Sequence, residues 1–187
     1  MRLHGELYAA EVGHTRDRAA NVTGADVLGF TRTGDDAAEG GLEAAAAHGG
    51  MLLVVGDDLA DAPQDFGRDS ALFVYVGQVL TPAARNAHYV LPATTFAEMD
   101  GSFTNVDRRV QRFWPALQLP GMARPAWQVL GVLLAGITGG EAQATADQAF
   151  ARLAEIRAEF GSMTFAELGA QGRALPSPGA LAESAGD

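Results

Sequence analysis

The side chains best able to bind or react are concentrated between Glu98 and Arg112, where the chain reads Glu-Met-Asp-Gly-Ser-Phe-Thr-Asn-Val-Asp-Arg-Arg-Val-Gln-Arg. Asn105, Asp107, Arg108, Arg109, Gln111 and Arg112 follow a tight turn at Asp100-Gly101. Guanidinium forks bind phosphate or carboxylate through paired hydrogen bonds, and Asn and Gln amides offer both donors and acceptors. The chemistry on offer is therefore capture of an anionic, hydrogen-bonding ligand. The same residue types also hold an irregular loop to a sheet by bonding backbone carbonyls and carboxylates. Taken alone, the residues favour that second role.

A second grouping, Asp57, Asp58, Asp61 and Asp65, follows the apolar run Met51–Val55. Carboxylates suit a hard cation such as magnesium or calcium, but no calcium-loop spacing is present, and a solvated loop explains them more simply. The loop is too acidic to cradle a phosphate unaided, yet it lies where open α/β sheets bind ligands. His4, His14, His48 and His88 are scattered with no i, i+4 pair, so no metal site is expected from them. There is no G-x-S-x-G elbow, no G-x-x-x-x-G-K-[ST] loop and no G-x-G-x-x-G after a strand.

The elements that must position these groups follow from hydrophobic patterning. Asp36 precedes an Ala-rich stretch, Ala37 to His48, that reads as a capped helix stopped by Gly49-Gly50. Met51–Val55 and Leu72–Val76 are unbroken apolar runs, predicted as strands buried on both faces of a helix-covered parallel sheet. Thr81-Pro82 opens a short helix to about Ala87, and His88–Leu91 is a third strand. Strand, helix, strand at this spacing is a right-handed βαβ pattern. A helical turn is predicted from Thr94 to Met99, and Ser102 to Phe113 reads as extended or irregular.

Pro115, Pro120 and Pro125 keep the next stretch in a loop until an amphipathic helix, Ala126 to Ile137, docks through Trp127, Leu130 and Leu133. Glu141 to Phe160 reads as a second long helix, and Thr164 with Glu167 forms a capping box. Before these elements, Met1 to Gly34 suggests short helical pieces and loops. The fold class is α/β: a Rossmann-like parallel sheet with flanking helices, C-terminal helices and a disordered tail. The divisions expected are a Rossmann-like domain over 1–137, a helical extension over 138–171 and a disordered tail over 172–187.

Composition sets the outer limits. The chain has 187 residues, 48% hydrophobic, with a net charge of −10 and no cysteine. The acidity excludes binding to nucleic acid, which needs clustered Lys and Arg. The lack of Cys excludes a thiol nucleophile, a Cys-ligated zinc and an iron–sulfur cluster held by this chain. Met1 to Ala10 mixes Arg2, His4 and Glu6 among apolar residues, so no signal peptide is expected, and no apolar run reaches the ~20 residues of a membrane span.

Ala87-His88-Tyr89-Val90-Leu91-Pro92-Ala93, then Glu98 to Asn105, then Arg109-Val110-Gln111, resembles the "A-D-V-V-L-P-A … E-K-x-G-T-F-x-N-x-E-x-R-V-Q" signature of molybdopterin oxidoreductases. Ala123 to Leu130 resembles the "A-R-P-D-W-x-I-L" that follows it. Upstream, Ala20-Asn21-Val22-Thr23-Gly24-Ala25 with Leu28-Gly29 is similar to a segment of the large iron–sulfur subunit of NADH-quinone oxidoreductase, the respiratory complex I. Within the superfamily the resemblance places the chain closest to the C-terminal part of that subunit.

The resemblance implies a cluster-free scaffold domain within an NADH:quinone oxidoreductase, inactive alone, with no catalytic or metal-binding residue of its own. Iron–sulfur clusters would lie on the missing N-terminal part or on a partner. The partners implied are the other peripheral-arm subunits, with no nucleic acid and no direct membrane span. The place implied is the cytoplasmic inner face of the membrane.

The alternative is a fragment of a molybdenum-bis-pterin enzyme such as a formate dehydrogenase alpha chain. Asn105, Arg108, Arg109 and Gln111 would then contact the pterin cofactor, and Arg108-Arg109 favours this alternative over the Gly-Arg of complex I relatives. A free-standing small-ligand domain using the acidic loop is a third reading. His88, Met99 and Ser102 stand where the signature has Asp, Lys and Thr, and losing the first two polar groups argues against a working cofactor pocket.

Overall fold

The structure is a computed structural model that describes residues 2–4, 21–33 and 45–177. Most of the helix predicted before Gly49, and the tail beyond position 177, lie outside the described residues. Arg2–His4 (β1) pairs with Thr31–Thr33 (β2), and Val22–Val27 (α1) lies between them in sequence. The chain then divides into two compact units: Thr33–Met99 with Pro115–Ala142, and Met1–Arg32 with Asp100–Trp114 and Gln143–Asp187.

The first unit is built on a parallel three-stranded sheet, Met51–Val55 (β3), Leu72–Gly77 (β4) and Tyr89–Pro92 (β5), in the order β3-β4-β5. The predicted strands agree with these to within a residue at each end. Leu53 pairs with Val74, and Val74 with Tyr89, so alternate residues of the three strands share a face. On one face Phe73 and Tyr75 are buried with Leu59, Phe66, Ala83 and Ala84, and Phe66 meets Phe73 edge-on at 5.7 Å. Leu52, Val54, Ala45 and Ala46 complete this core.

The other face corrects the expectation of strands buried on both sides. Met51, Leu53 and Val55 are 65, 43 and 36% exposed. Among the described residues β3 is an edge strand, and the helix packed on this sheet contacts β4. That helix, Ala126–Thr138 (α2), starts after Pro125 as predicted and ends at Gly139 in the left-handed region. None of its residues is buried: Trp127, Leu130 and Leu133 are half-buried, while Leu134 and Ile137 on the same face, and Val132 on the opposite one, are exposed. The helix predicted after Pro82 is reduced to a 3-10 turn, Ala84–Asn86.

The second unit contains an antiparallel hairpin where the sequence suggests extended or irregular chain: Gly101–Thr104 (β6) and Arg109–Phe113 (β7), extended by Arg173–Ala174 (β8). Phe103 stacks on Phe113 at 4.7 Å, and a Cβ at Gly101 would collide with the Phe113 ring. The long C-terminal helix is shorter than predicted. Thr145 accepts from the Gln148 N–H and starts Ala146–Ile156 (α3) five residues late, and a 3-10 turn, Ala158–Phe160, follows. The capping box is present: Thr164 and Glu167 exchange hydrogen bonds at the start of Phe165–Leu168 (α4). Phe150 packs edge-on to Phe160 and beside Phe165. Residues 172–177, expected in the tail, hold β8 and the buried Leu175.

Candidate functional site

In the sheet unit, the loops leaving the carboxyl ends of the strands make a polar edge. Gly56 takes a left-handed turn after β3, and Asp57 and Asp58 each fold back to accept from a backbone N–H two residues on, Leu59 at 2.7 Å and Ala60 at 2.9 Å. These carboxylate bonds hold Leu59 at φ 56, a left-handed conformation unusual for a non-glycine residue. The Leu59 side chain is 1% exposed and anchors the loop in the core. Thr81 Oγ1 donates to the Asp58 carbonyl at 2.8 Å, tying the loop after β3 to the loop after β4. Tyr75 Oη donates to the Val79 carbonyl at 2.7 Å. Burial pushes the Tyr75 phenol above its ordinary value, and the nearby carboxylates of Asp58 and Asp57 push the same way.

Past β5 the strand direction continues through Ala93, which bridges Arg124 in parallel, to Thr94. Its N–H donates to the Arg124 carbonyl at 3.1 Å, and its own carbonyl accepts from Gln78 Nε2 at 3.0 Å. Its hydroxyl, on a residue 3% exposed, is buried with no hydrogen-bond partner among the described residues. An orphaned hydroxyl is costly and marks either a ligand position or an ordered water. Neither Thr94 nor Gln78 stands out in the sequence by residue type. The available signal was their position, directly after a buried parallel strand, because strand pairing alone sets which loops share the edge. Among the described residues no group of three or more His, Cys, Asp or Glu side chains is placed to hold a metal ion.

The four residues singled out by type lie in the other unit, on the β6–β7 hairpin. Asn105 through Arg108 form its turn: the Arg108 N–H donates to the Asn105 carbonyl at 3.0 Å, and Asn105 Oδ1 accepts from the Arg109 N–H at 2.9 Å. Arg108 takes φ 59, the turn position at which glycine is the strain-free residue. Its Nη2 reaches the Pro176 carbonyl at 3.4 Å, and its Nε is buried with no partner among the described residues. Arg109 is exposed and donates from Nη1 to the Gln171 and Gly172 carbonyls, at 3.3 and 3.0 Å. Gln111 lies under Gly172, where a Cβ would strike the Val110 carbonyl. The structure thus gathers Asn105, Arg108, Arg109 and Gln111 on one hairpin and gives the first three bonds to backbone.

The other signature positions have structural roles. Asn21 sits at φ 67 before α1, and its Oδ1 accepts from the Thr104 N–H at 2.7 Å. Gly24 lies so close that a Cβ there would run into that Asn21 side chain and the Thr104 hydroxyl. His88 Nδ1 accepts from the Phe73 N–H at 3.0 Å, while the His88 N–H donates to the Phe73 carbonyl at 2.8 Å. A carboxylate at position 88 would be the same kind of acceptor. Replacing the signature Asp with His therefore keeps the acceptor and does not empty a polar position.

Residues 8–135 match the molybdopterin oxidoreductase family, and the chain belongs to it. It is 36% identical over 134 residues to the F420-dependent formate dehydrogenase 2 subunit alpha of Methanococcus maripaludis, covering 67% of this chain and 20% of that protein. The F420-dependent formate dehydrogenase 1 subunit alpha of the same organism is 33% identical over 99 residues, which is 52% of this chain and 15% of that protein. A putative formate dehydrogenase of Bacillus subtilis, YrhE, is 41% identical over 85 residues, 42% of this chain and 9% of that protein. The chain spans about a fifth or less of the length of these relatives.

These relatives overturn the placement with the large iron–sulfur subunit of complex I. They are formate dehydrogenases, two of them named as alpha subunits, and none is an NADH-quinone oxidoreductase. In this chain the residues of the segment around Asn21 and Gly24 serve local packing: Asn21 accepts from the Thr104 N–H, and Gly24 leaves no room for a Cβ. With the complex I reading goes the reason for expecting quinone chemistry. Among the described residues no helix is long and apolar enough to cross a membrane.

Proposed function

We propose that the chain is part of the cofactor-binding body of a formate dehydrogenase-type molybdopterin oxidoreductase. The carboxyl edge of its parallel sheet would take the nucleotide half of a molybdopterin guanine dinucleotide. The observation that carries this is the Thr94 hydroxyl, buried with no partner among the described residues at the edge where parallel α/β sheets receive ligands. The fit also follows from charge. Asp57 and Asp58 each spend a carboxylate oxygen on the loop backbone. Their remaining oxygens suit N–H and hydroxyl donors, such as the base edge and ribose of a guanosine, and repel a phosphate. The similarity to formate dehydrogenase alpha subunits supports the substrate class.

Phosphate groups need cations. On the hairpin of the other unit, and as a proposal separate from the sheet edge, Asn105, Arg108, Arg109 and Gln111 are candidate contacts for an anionic group of a pterin cofactor, with Arg109 foremost because it is exposed and its side-chain bonds to protein run from Nη1. The metal of such a cofactor supplies the two-electron chemistry, and the residues of this chain bind and orient it. The test is to isolate the tagged chain, with whatever accompanies it, anaerobically from its own cells. Molybdenum or tungsten is then assayed by mass spectrometry and pterin by the fluorescence of its oxidised form. Metal and pterin should be recovered together, and Thr94→Val and Arg109→Ala should each lower both while leaving thermal melting within a few degrees. An assembly with neither metal nor pterin overturns the proposal. Loss of folding with Arg109→Ala would make that arginine structural.

A further inference from the structure

β4 ends at Gly77, and Gln78, Val79 and Leu80 carry the chain on to Thr81 at the carboxyl edge of the sheet. These three residues are exposed, and among the described residues no backbone–backbone hydrogen bond reaches them. Two side-chain bonds hold them instead. Tyr75 Oη donates to the Val79 carbonyl at 2.7 Å, and Gln78 Nε2 donates to the Thr94 carbonyl at 3.0 Å. Pairing of Tyr75 with Val90 and of Gly77 with Pro92 puts these residues on one face of the sheet, and Thr94 follows two residues beyond Pro92. The Tyr75 ring, 1% exposed and part of the core, leans along β4 over Gly77, where a Cβ would collide with its Cζ and Oη. Burial, and then the carboxylates of Asp58 and Asp57, hold the phenol above its ordinary value, so it is a hydrogen-bond donor at neutral pH. Phenylalanine would fill the same space in the core. What the hydroxyl adds is its bond to the loop.

We infer that Tyr75 is a positioning residue for the ligand edge: its hydroxyl sets the path of Gln78–Leu80 and, through Gln78, the backbone of Thr94 and the direction of the Thr94 hydroxyl. Thr81 Oγ1, bonded to the Asp58 carbonyl at 2.8 Å, fixes the far end of the same loop, so Tyr75 holds its middle. Gly77 belongs to the device, because only a residue without a side chain lets the ring lie over it. A loop held in place before a ligand arrives gives up less conformational freedom on binding. The hydroxyl thus contributes to affinity without touching the ligand. The inference deepens the cofactor proposal and rests on it for the ligand, the nucleotide half of a pterin cofactor.

Tyr75→Phe removes the hydroxyl and keeps the ring. Thermolysin cuts before exposed aliphatic residues, and in the assembly as isolated it should cleave the variant at Val79 or Leu80 about five- to ten-fold faster than the parent. The thermal midpoint should stay within a few degrees. Release of pterin on gel filtration, followed by the fluorescence of its oxidised form, should quicken by a similar factor. Gly77→Ala drives the ring away from Val79 and should have the same effects, and adding Tyr75→Phe to it should bring no further change. Equal cleavage of parent and Tyr75→Phe, faster cleavage with unchanged pterin release, or effects of the two substitutions that add in full would each overturn the inference. So would a large fall in the thermal midpoint with Tyr75→Phe, which would make the hydroxyl a requirement of the core. Faster cleavage of the variant in an assembly that lacks pterin would refute the cofactor proposal and leave the hold of Tyr75 on the loop standing.

Discussion

Arg112 closes on Asp100 in a two-bond fork, Nε at 3.1 Å and Nη2 at 2.6 Å, while its guanidinium lies 4.4 Å from the centroid of Phe165. The same group is 5.1 Å from the Trp114 ring. One side chain thereby fastens β7 to the residue that opens β6 and to the first residue of α4. Both partners are about three-quarters buried, with side-chain exposures of 22 and 29%. That places the pair where a fork and a stacked cation count for more than an exposed ion pair does. Of the three arginines in Arg108–Arg112, this one is committed to the fold.

Arg112→Lys keeps the charge and loses both the fork and the stacking. It should destabilise the chain by about 1–3 kcal/mol, read from the shift of a chemical denaturation midpoint. Asp100→Asn should lose less, because the amide still offers one acceptor. A lysine variant as stable as the parent would show that the fork contributes little.

His88→Ala removes the acceptor for the N–H of Phe73, a residue fully buried in the sheet core. An unpaired backbone donor there should cost about 1–3 kcal/mol. His88→Asp restores an acceptor and should recover most of the loss in a denaturant titration. If the aspartate variant is no better than the alanine one, the family position is not an acceptor site and the equivalence argued for His88 fails.

Arg108→Gly separates fold from binding. Relief of the left-handed strain is worth about 1 kcal/mol, and it offsets the loss of a long bond to Pro176. Stability should therefore stay within about 1 kcal/mol of the parent. Pterin content of the isolated assembly should fall if the guanidinium contacts the cofactor, and unchanged pterin would remove Arg108 from the proposed contacts.

What the sequence made legible was set by local signals with one outcome. Three apolar runs became β3, β4 and β5, Pro125 started α2, and Thr164 with Glu167 formed its capping box. The β6–β7 hairpin was missed because its strands alternate poorly. Both faces are mixed, Ser102 and Arg112 sharing one with Val110 and Gln111 sharing the other with Phe103 and Phe113, so neither strand shows a clean apolar alternation. Burial of β3 was overestimated because an unbroken apolar run does not tell a central strand from one at the edge of the described sheet, where Met51, Leu53 and Val55 stay exposed. The site divided in the same way. Arginines were visible by type, whereas Thr94 is a hydroxyl like any other until pairing puts it at the carboxyl edge with its oxygen unbonded.

Acid should weaken the α4 turn before the rest of its unit. The Glu167 carboxylate accepts from the Thr164 N–H, and that backbone bond, followed by the bond from the Thr164 side chain, holds its pKa below the ordinary 4.5. A carboxyl whose folded pKa is depressed adds stability above its unfolded value and gives it up as pH falls through the folded value. Glu167→Gln removes the titration. The parent should melt higher than the variant at pH 7, and the gap should close as pH drops below about 4.5. The box starts the turn that carries the buried Phe165 and Leu168, with Phe165 5.6 Å from Phe150, so near-ultraviolet circular dichroism should follow the same course. A gap that persists unchanged into acid would mean that the capping bond does not depend on the charge, and that the amide holds the turn as well as the carboxylate.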